Sequence, residues 1–433
     1  MFGLKWETGQ LIRGDHDVSG PRRLVSSVTA AGCIAVASLA VFAVVRHFQK
    51  ASMVDMLVYR AEGAAVVNGS DLYAMRLPGW DLPATYPPFA AILFAPSTWF
   101  EVSTLRALVT LLNIALLALL VYLSFRLVGW PGARYRRAAV LLATGLGVWL
   151  EPVYTTLQYG QVNLGITCLV LWDMTRHDGS RFKGVGIGLA TAIKVTPGLF
   201  TVYLLLTGRV RAAVVSGCVF VAAGLSGWLA LPDASYGFWT KYLWDTRRVG
   251  VTELVDNQSL RGVVCRLLST NSPGLVGIAV CGLAGVFGLA VAITASRSSH
   301  VLRRAEAWGT LCTALTALLI SPISWTHHWV WCIPLLALLA AEARSRAQRV
   351  LLGAVLVGFF SHILWVVPHR WGLGIAWYWQ PLASVYAPLA MAVLIVMGCR
   401  LYRLHEQDGI SAAADLIVQE AELEQNASLM KQV

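Results

Sequence analysis

The chain has 433 residues, 57% of them hydrophobic and only 13% charged, with a formal net charge of +11. Soluble domains carry roughly 25% charged residues, and apolar runs long enough to cross a bilayer recur along the whole length. This excludes a soluble globular enzyme, and the alternation of a lipid-facing β-barrel is absent. The excess charge is not a nucleic-acid footprint either, because the arginines sit in short clusters between apolar spans, as cytoplasmic loops do.

In chain order, residues 1–27 are polar and bear Gly, Pro and Arg, and read as a disordered cytoplasmic N-terminus. The first span, 28–48, lacks a small-residue cleavage site and reads as a retained anchor. Residues 49–86 form a loop assigned to the outside. It begins with a half-apolar helix from Asp55, turns at Asn68-Gly69 and leaves through "YPPF" as extended chain. A short apolar piece, 87–100, precedes a long span at 105–128. Basic "GWPGARYRRA" leads to spans at 138–153 and 164–174, joined by "EPVYTTLQYGQVN". The apolar segment that follows "TRHDGSRFKG" is expected to break at Lys194 and Pro197. Spans at 212–231, 276–295, 308–320, 330–341, 350–367 and 382–401 complete a 28–403 membrane domain, followed by an acidic amphipathic tail, 404–433. Charge counting puts both termini and the Arg-rich loops inside. The expected fold is all-α and polytopic, with about 10–12 transmembrane or half-membrane helices.

The eight cysteines stand singly, mostly within apolar spans, and read as small core residues rather than disulfide or metal ligands. No internal repeat of the transporter type is visible.

Four polar clusters interrupt this apolar chain, and ionisable groups in or beside membrane spans are functional candidates by default. The first holds Asp55, Arg60 and Glu62, broadly on one side of the half-apolar helix, with Tyr59 in its apolar set. Asp55 reads either as a helix N-cap or as a general base at the interface. Glu62 is about 10 Å away along a helix, too far to share one hydroxyl with it. The second, "QYGQVNL", offers Gln158, Gln161 and Asn163 for sugar hydroxyls or for helix–helix hydrogen bonds. The third is Lys194, which either binds an anion beside a broken helix or snorkels to the headgroups. The fourth pairs Asn257, Gln258 and Arg261 of "NQSLRG" with "SPISWTHHWVW". There Trp325, Trp329 and Trp331 are sugar-stacking platforms or interfacial belt residues. His327 and His328 point in different directions on a helix, which argues against one shared metal.

Taken together, "VYRAEGAAVVNGSDLY", "YPPFAAILFAP", "GQVNL", "GLATAIKVTPGLF", "NQSLRG" and "SPISWTHHWVW" resemble the actinobacterial polyprenol-phosphate-mannose-dependent α-1,2-mannosyltransferases, glycosyltransferase family 87, of the GT-C membrane fold. The resemblance runs in order from about residue 50 to about residue 335. It implies a catalytic aspartate in the first outside loop, falling on Asp55. It also implies a histidine near the active site in "SWTHHW", with His327 taken slightly ahead of His328. Substrate-binding roles then fall on Tyr59, Glu62, Tyr86, Gln161, Asn163, Lys194, Asn257, Gln258, Arg261, Trp325 and His328.

The implied reaction transfers mannose from polyprenyl-phosphate-mannose to a lipid-anchored mannoside, with inversion. It takes place on the outer face of the plasma membrane, in phosphatidylinositol mannoside or lipomannan synthesis. The partners are donor, glycolipid acceptor and membrane lipids. No cofactor or metal is expected, and the chain is expected to act as a monomer. A flippase for a lipid-linked saccharide, or transfer of another sugar such as arabinose, is the competing reading.

Overall fold

A computed structural model describes residues 19–368 and 373–430; the expected N-terminal segment therefore lies outside the described residues up to residue 18. Helix α1 (Ser19–Gln49) carries the first membrane-length apolar run, 27–49, of mean hydropathy 2.4. A sharp turn follows, with Met53 in the left-handed region at φ 49°, and α2 (Val54–Asn68) begins. Gly69, at φ 65°, ends α2 as a left-handed cap, as the Asn-Gly pair signals. A two-residue hairpin, β1 (Arg76–Leu77) with β2 (Leu82–Pro83), then returns the chain to α3 (Pro88–Phe94), which starts on a proline fixed in helical φ.

The long apolar α4 (Val102–Val128) precedes α5 (Ala133–Gly147) and α6 (Glu151–Tyr159), which are bent by 70° to one another. The sequence reading took this region as one span from 138 to 153. The "EP" pair that opens α6 marks a new helix start, since proline is tolerated in a first turn and not in an interior. Helix α5 packs tightly on α1. A Cβ on Gly145 would lie 2.6 Å from Ala35 Cα, and the Ser38 hydroxyl donates to Gly145 O at 2.6 Å.

Helix α7 (Asn163–Met174) is followed by α8 (Val185–Ile193) and α9 (Gly198–Leu206). The expected break falls between them. Lys194 is extended (φ −149°, ψ 125°), and Pro197 stands at the start of α9. Helix α10 (Val210–Ala230) leads into α11 (Pro232–Gly237), a π-turn over Phe238–Tyr242, and α12 (Leu260–Leu267), capped by the Ser259 hydroxyl. Helices α13 (Gly274–Arg297) and α14 (Ala305–Ile320) form the most extensive helix pair. Helix α14 is buried on nearly every side, as its all-round apolar sequence requires. A 3₁₀ turn over Thr326–Trp331 joins it to α15 (Cys332–Glu342). Then come α16 (Arg346–Phe360), the short α17 (Gln380–Ala383) and α18 (Tyr386–Met430). The boundary expected at 404 is not a backbone break: no proline interrupts the chain there, and Gly409 alone does not stop a helix.

Among the described residues, five helices are long and apolar enough to cross a membrane, or six if α5 and α6 make one bent span. The other expected spans are short or broken. The chain is a multi-pass membrane protein of all-helical architecture. At one end of the bundle the basic loops are tied by ion pairs. Arg209 pairs with Asp178 and Glu306, and Glu342 lies between Arg304 (2.6 Å) and Arg400 (2.9 Å).

Candidate active site

Helix α2, the α6–α7 junction, the α8–α9 break, α12 and the 3₁₀ turn converge on one cavity of about 650 Å³, in which polar and charged side chains stand among apolar ones. Asp55, Tyr59, Tyr86, Gln161, Lys194, Arg261, Trp325 and His328 all line it. The four clusters, far apart in sequence, thus contribute to a single site.

Asp55 is not a helix cap. The N-cap position is Met53, whose left-handed backbone leaves no side-chain capping bond, and Asp55 lies in the first turn with its carboxylate turned to the Gln161 amide. Gln161 Nε2 donates to Asp55 Oδ2, while Gln161 Oε1 accepts the Tyr59 hydroxyl proton at 2.7 Å. The Tyr59 and Tyr86 hydroxyls are 3.0 Å apart. Burial pushes the Asp55 carboxyl up to about 6, opposed by the Gln161 hydrogen bond and by the charge of Lys194.

Two backbone features hold α2 against α6. Met53 N donates to Gln158 O at 3.0 Å. Gly160, at φ 71°, turns the chain out of α6 so closely that a Cβ would lie 2.7 Å from Met56 Cβ. Only glycine meets both requirements.

Linked to the acid through Gln161 and Asn163, Lys194 Nζ lies 2.8 Å from His328 Nε2 and donates to Asn163 Oδ1 at 3.3 Å. Burial lowers Lys194 to about 7, opposed by the charge of Asp55; when Lys194 is an ammonium it has only donors, and His328 Nε2 is then the acceptor. Because α8 ends at Ile193, Lys194 is free to leave the helical path and reach these partners. Asn163 closes the network, donating to His327 O at 3.0 Å and to Gln161 Oε1 at 3.4 Å.

Several expected site residues fall elsewhere. His328, not His327, faces the cavity. His327 is buried between the Tyr159 and His328 rings, at 5.6 and 4.8 Å, because successive residues of a turn point in different directions. Asn257 and Gln258 are fully buried scaffold. Asn257 donates to Thr252 O and Pro322 O and accepts from Ser259 N and Ser324 N. Gln258 donates to Val255 O and Ala383 O and accepts from Tyr386 N. With their polar atoms so engaged, neither lines the cavity.

Glu62 shares a face with Asp55, as the i, i+7 spacing requires, but that face is buried, and its Oε1 accepts from Thr85 N at 3.1 Å. Burial pushes Glu62 up to about 8, opposed by backbone donors at Thr85 and Tyr86 and by Arg248. Gln158 reaches Gln49 instead of the cavity. Trp329 is core, and Trp331 stacks on Phe200 at 5.4 Å. Trp325 alone of the three lines the cavity, backed by Gly250, where a Cβ would lie 2.5 Å from its ring.

Two residues escaped the sequence reading. Arg248 lines the cavity and clamps the loop before α12 to the loop between α2 and α3 through Ala84 O (2.9 Å) and Tyr73 O. Its signal was a cation in the polar and aromatic stretch between the spans at 212–231 and 276–295. Glu151 is wholly buried at the bend before α6, accepting from Thr155 Oγ1 (2.7 Å), Trp365 Nε1 (3.1 Å) and the Tyr386 hydroxyl (2.6 Å). Its signal was an acid inside an apolar run. All eight cysteines are free, and no group of three or more His, Cys, Asp or Glu side chains suited to a metal ion occurs among the described residues.

A second, apolar groove of about 970 Å³ runs along α4 from Leu105 to Leu123 and shares Tyr59 and Gln161 with the first cavity.

The fold and site are those of a multi-pass membrane protein whose cavity holds an acid and cations and adjoins an apolar groove. The sequence matches the family model described as Glycosyltransferase family 87 over residues 84–322, and the chain belongs to that family. It is 34% identical over 368 residues to a polyprenol-phosphate-mannose-dependent alpha-(1-2)-phosphatidylinositol pentamannoside mannosyltransferase of Mycobacterium tuberculosis (strain CDC 1551 / Oshkosh), covering 82% of this chain and 83% of the relative. It is 32% identical over 366 residues to a polyprenol-phosphate-mannose-dependent alpha-(1-2)-phosphatidylinositol mannoside mannosyltransferase of M. tuberculosis (strain ATCC 25618 / H37Rv), covering 80% and 84%. A mannosyltransferase of the latter description in Mycolicibacterium smegmatis (strain ATCC 700084 / mc(2)155) is also 32% identical, over 370 residues and 80% and 83% of the two chains. No solved structure matches. Asp55 precedes the residues matched by the family model, and His328 follows them.

Proposed function

We propose that the chain transfers mannose from a polyprenyl-phosphate-mannose donor to a phosphatidylinositol mannoside or related lipid-anchored mannoside, forming an α-1,2 linkage with inversion. The observation that carries this reading is that one cavity is lined by both a carboxylate and cations: Asp55, Lys194 with His328, and Arg261. Inversion needs one in-line displacement, hence a base on the acceptor side and anion stabilisation on the leaving-group side.

Asp55 takes the acceptor hydroxyl proton as the oxygen attacks the mannose C1. The bond from C1 to the phosphate oxygen breaks, and its electron pair leaves with the polyprenyl phosphate. The phosphate passes from diester to monoester and gains charge, which Lys194 and Arg261 neutralise. The apolar groove along α4 suits the prenyl chain. The ion-paired basic loops lie on cytoplasmic segments by the positive-inside rule, which supports a cavity facing outward from the plasma membrane.

The test is transfer of radiolabelled mannose by the purified chain from polyprenyl-phosphate-mannose to phosphatidylinositol mannosides, followed by linkage analysis. Asp55→Asn is expected to lower kcat by about 10²–10⁴-fold with donor binding retained. Wild-type turnover in that variant overturns the role of Asp55. Donor translocation without transfer by the wild type overturns the enzymatic reading in favour of a flippase.

A further inference from the structure

We infer that Gln161 is a positioning residue for the base rather than a substrate ligand, and that Tyr59 sets its orientation. This rests on the reading of Asp55 as the base. The two ends of an amide are distinguished only by their partners, and here the partners leave one choice. Asn163 Nδ2 and the Tyr59 hydroxyl both approach Gln161 Oε1, at 3.4 and 2.7 Å. The Asn163 amide is itself fixed, since its NH₂ group faces a backbone carbonyl at His327 O and its oxygen faces the Lys194 ammonium. Gln161 must therefore present its NH₂ group to Asp55 Oδ2.

The Tyr59 hydroxyl has a single proton. Spending it on Gln161 makes Tyr59 the acceptor of the Tyr86 hydroxyl, so the chain runs one way: Tyr86 to Tyr59 to Gln161 to Asp55.

Two consequences follow for the base. Gln161 engages Oδ2, which leaves Oδ1 to receive the acceptor's proton. The last donor in the chain is an amide, which stabilises the carboxylate without being able to protonate it. Gln161 Oε1 accepts from both Tyr59 and Asn163 and one Nε2 hydrogen goes to Asp55, so only the second Nε2 hydrogen is open to a sugar oxygen.

The charged and titratable groups around Asp55 are Lys194 from the α8–α9 break, Tyr86 before α3 and Glu62 on its own helix, and His328 from the 3₁₀ turn and Arg261 from α12 line the same cavity. All of these persist when only the amide is changed, so a shift in the pH profile reports on the amide itself.

The experiment measures kcat and KM against pH for the purified full-length chain, with polyprenyl-phosphate-mannose and a phosphatidylinositol mannoside. Gln161→Met keeps the length and removes the donor. It is expected to lower kcat about 10–100-fold and to move the rising limb of the profile up by about one pH unit, with both KM values within about twofold of wild type. Tyr59→Phe frees the amide to rotate and is expected to move the limb in the same direction by less. Gln161→Glu keeps the shape and sets a second carboxyl against Asp55, and is expected to move the limb up furthest; it decides the matter if Gln161→Met does not fold.

An unshifted limb with a raised acceptor KM overturns the inference and makes Gln161 a substrate ligand. An unshifted limb with KM unchanged reduces Gln161 to a structural role and overturns it too. If Asp55→Asn keeps wild-type turnover in the same assay, the base assignment itself has failed.

Discussion

The Asp55 carboxyl, pushed up to about 6, has to be ionised to act as a base, so activity should rise with pH through that value. A kcat–pH profile with its acidic midpoint near 6 is expected, and Asp55→Asn should abolish the limb along with the activity. Glu62 gives the opposite kind of signal, in stability. Its ordinary value is 4.5 and its folded value is about 8, so between these the unfolded chain releases the proton while the folded chain keeps it. Folding then loses stability as pH rises through that window. Glu62→Gln removes the dependence, and thermal unfolding in detergent should show the variant gaining more in Tm over wild type at pH 8 than at pH 5. These residues also show what sequence reading can reach. Asp55, Lys194 and Arg261 were legible because a charge in an apolar chain is conspicuous. Asn257 and Gln258 were read as ligands because the sequence does not record that backbone groups from Thr252, Pro322 and Ala383 consume their hydrogen bonds. The choice of His328 over His327 needed the direction of one turn.

At the scale of elements, the site depends on how closely α2 and α6 approach. Gly160→Ala meets both a left-handed backbone and atoms at 2.7 and 2.9 Å in Met56 and Met53, so α2 must shift. The expected cost is more than about 1 kcal/mol of stability together with a fall in kcat, because the Asp55–Gln161 contact spans the same gap. Gly69→Ala is the matched comparison. It is also left-handed (φ 65°) but has nothing within 4 Å, so it should cost stability alone and leave kcat as it was. The break at Lys194–Pro197 was readable because proline and an interrupting charge are local signals. The helix start at α6 has a local signal in the Glu151-Pro152 pair, but the 70° angle between α5 and α6 has none, since it is fixed by what packs around it, including the Trp149 indole donating to Ser38 in α1. The continuous α18 was divided in the reading because composition changes there while helix propensity does not.

Over the whole molecule, the end remote from the cavity is held by charge. Glu342, only 7% exposed, is shared by Arg304 ahead of α14 and Arg400 in α18, and Arg304 also donates to Val128 O at the end of α4. Removing the shared acid leaves two guanidinium groups facing each other in a poorly solvated place. Glu342→Gln should cost about 3 kcal/mol, read as a lower Tm, with the acidic midpoint of the kcat profile unmoved because the cavity is distant. The polytopic plan was legible from hydropathy and charge, whereas the assembly of four separated motifs into one cavity was not, because pairings between distant segments leave no local trace.

The buried carboxyl of Glu151 carries this into biogenesis. Its partners Trp365 and Tyr386 lie 214 and 235 residues later in the chain. At roughly 5–20 residues per second of synthesis, the acid at the head of α6 waits on the order of 10–50 s after leaving the ribosome before its last donor exists. During that interval the helix that ends at Gly160, beside Asp55 and Gln161, lacks two of the three donors that hold its far end. A nascent chain stalled before residue 365 would therefore carry every residue of the cavity and still hold α6 loosely, and so would remain a substrate for membrane quality control until the final helix arrives.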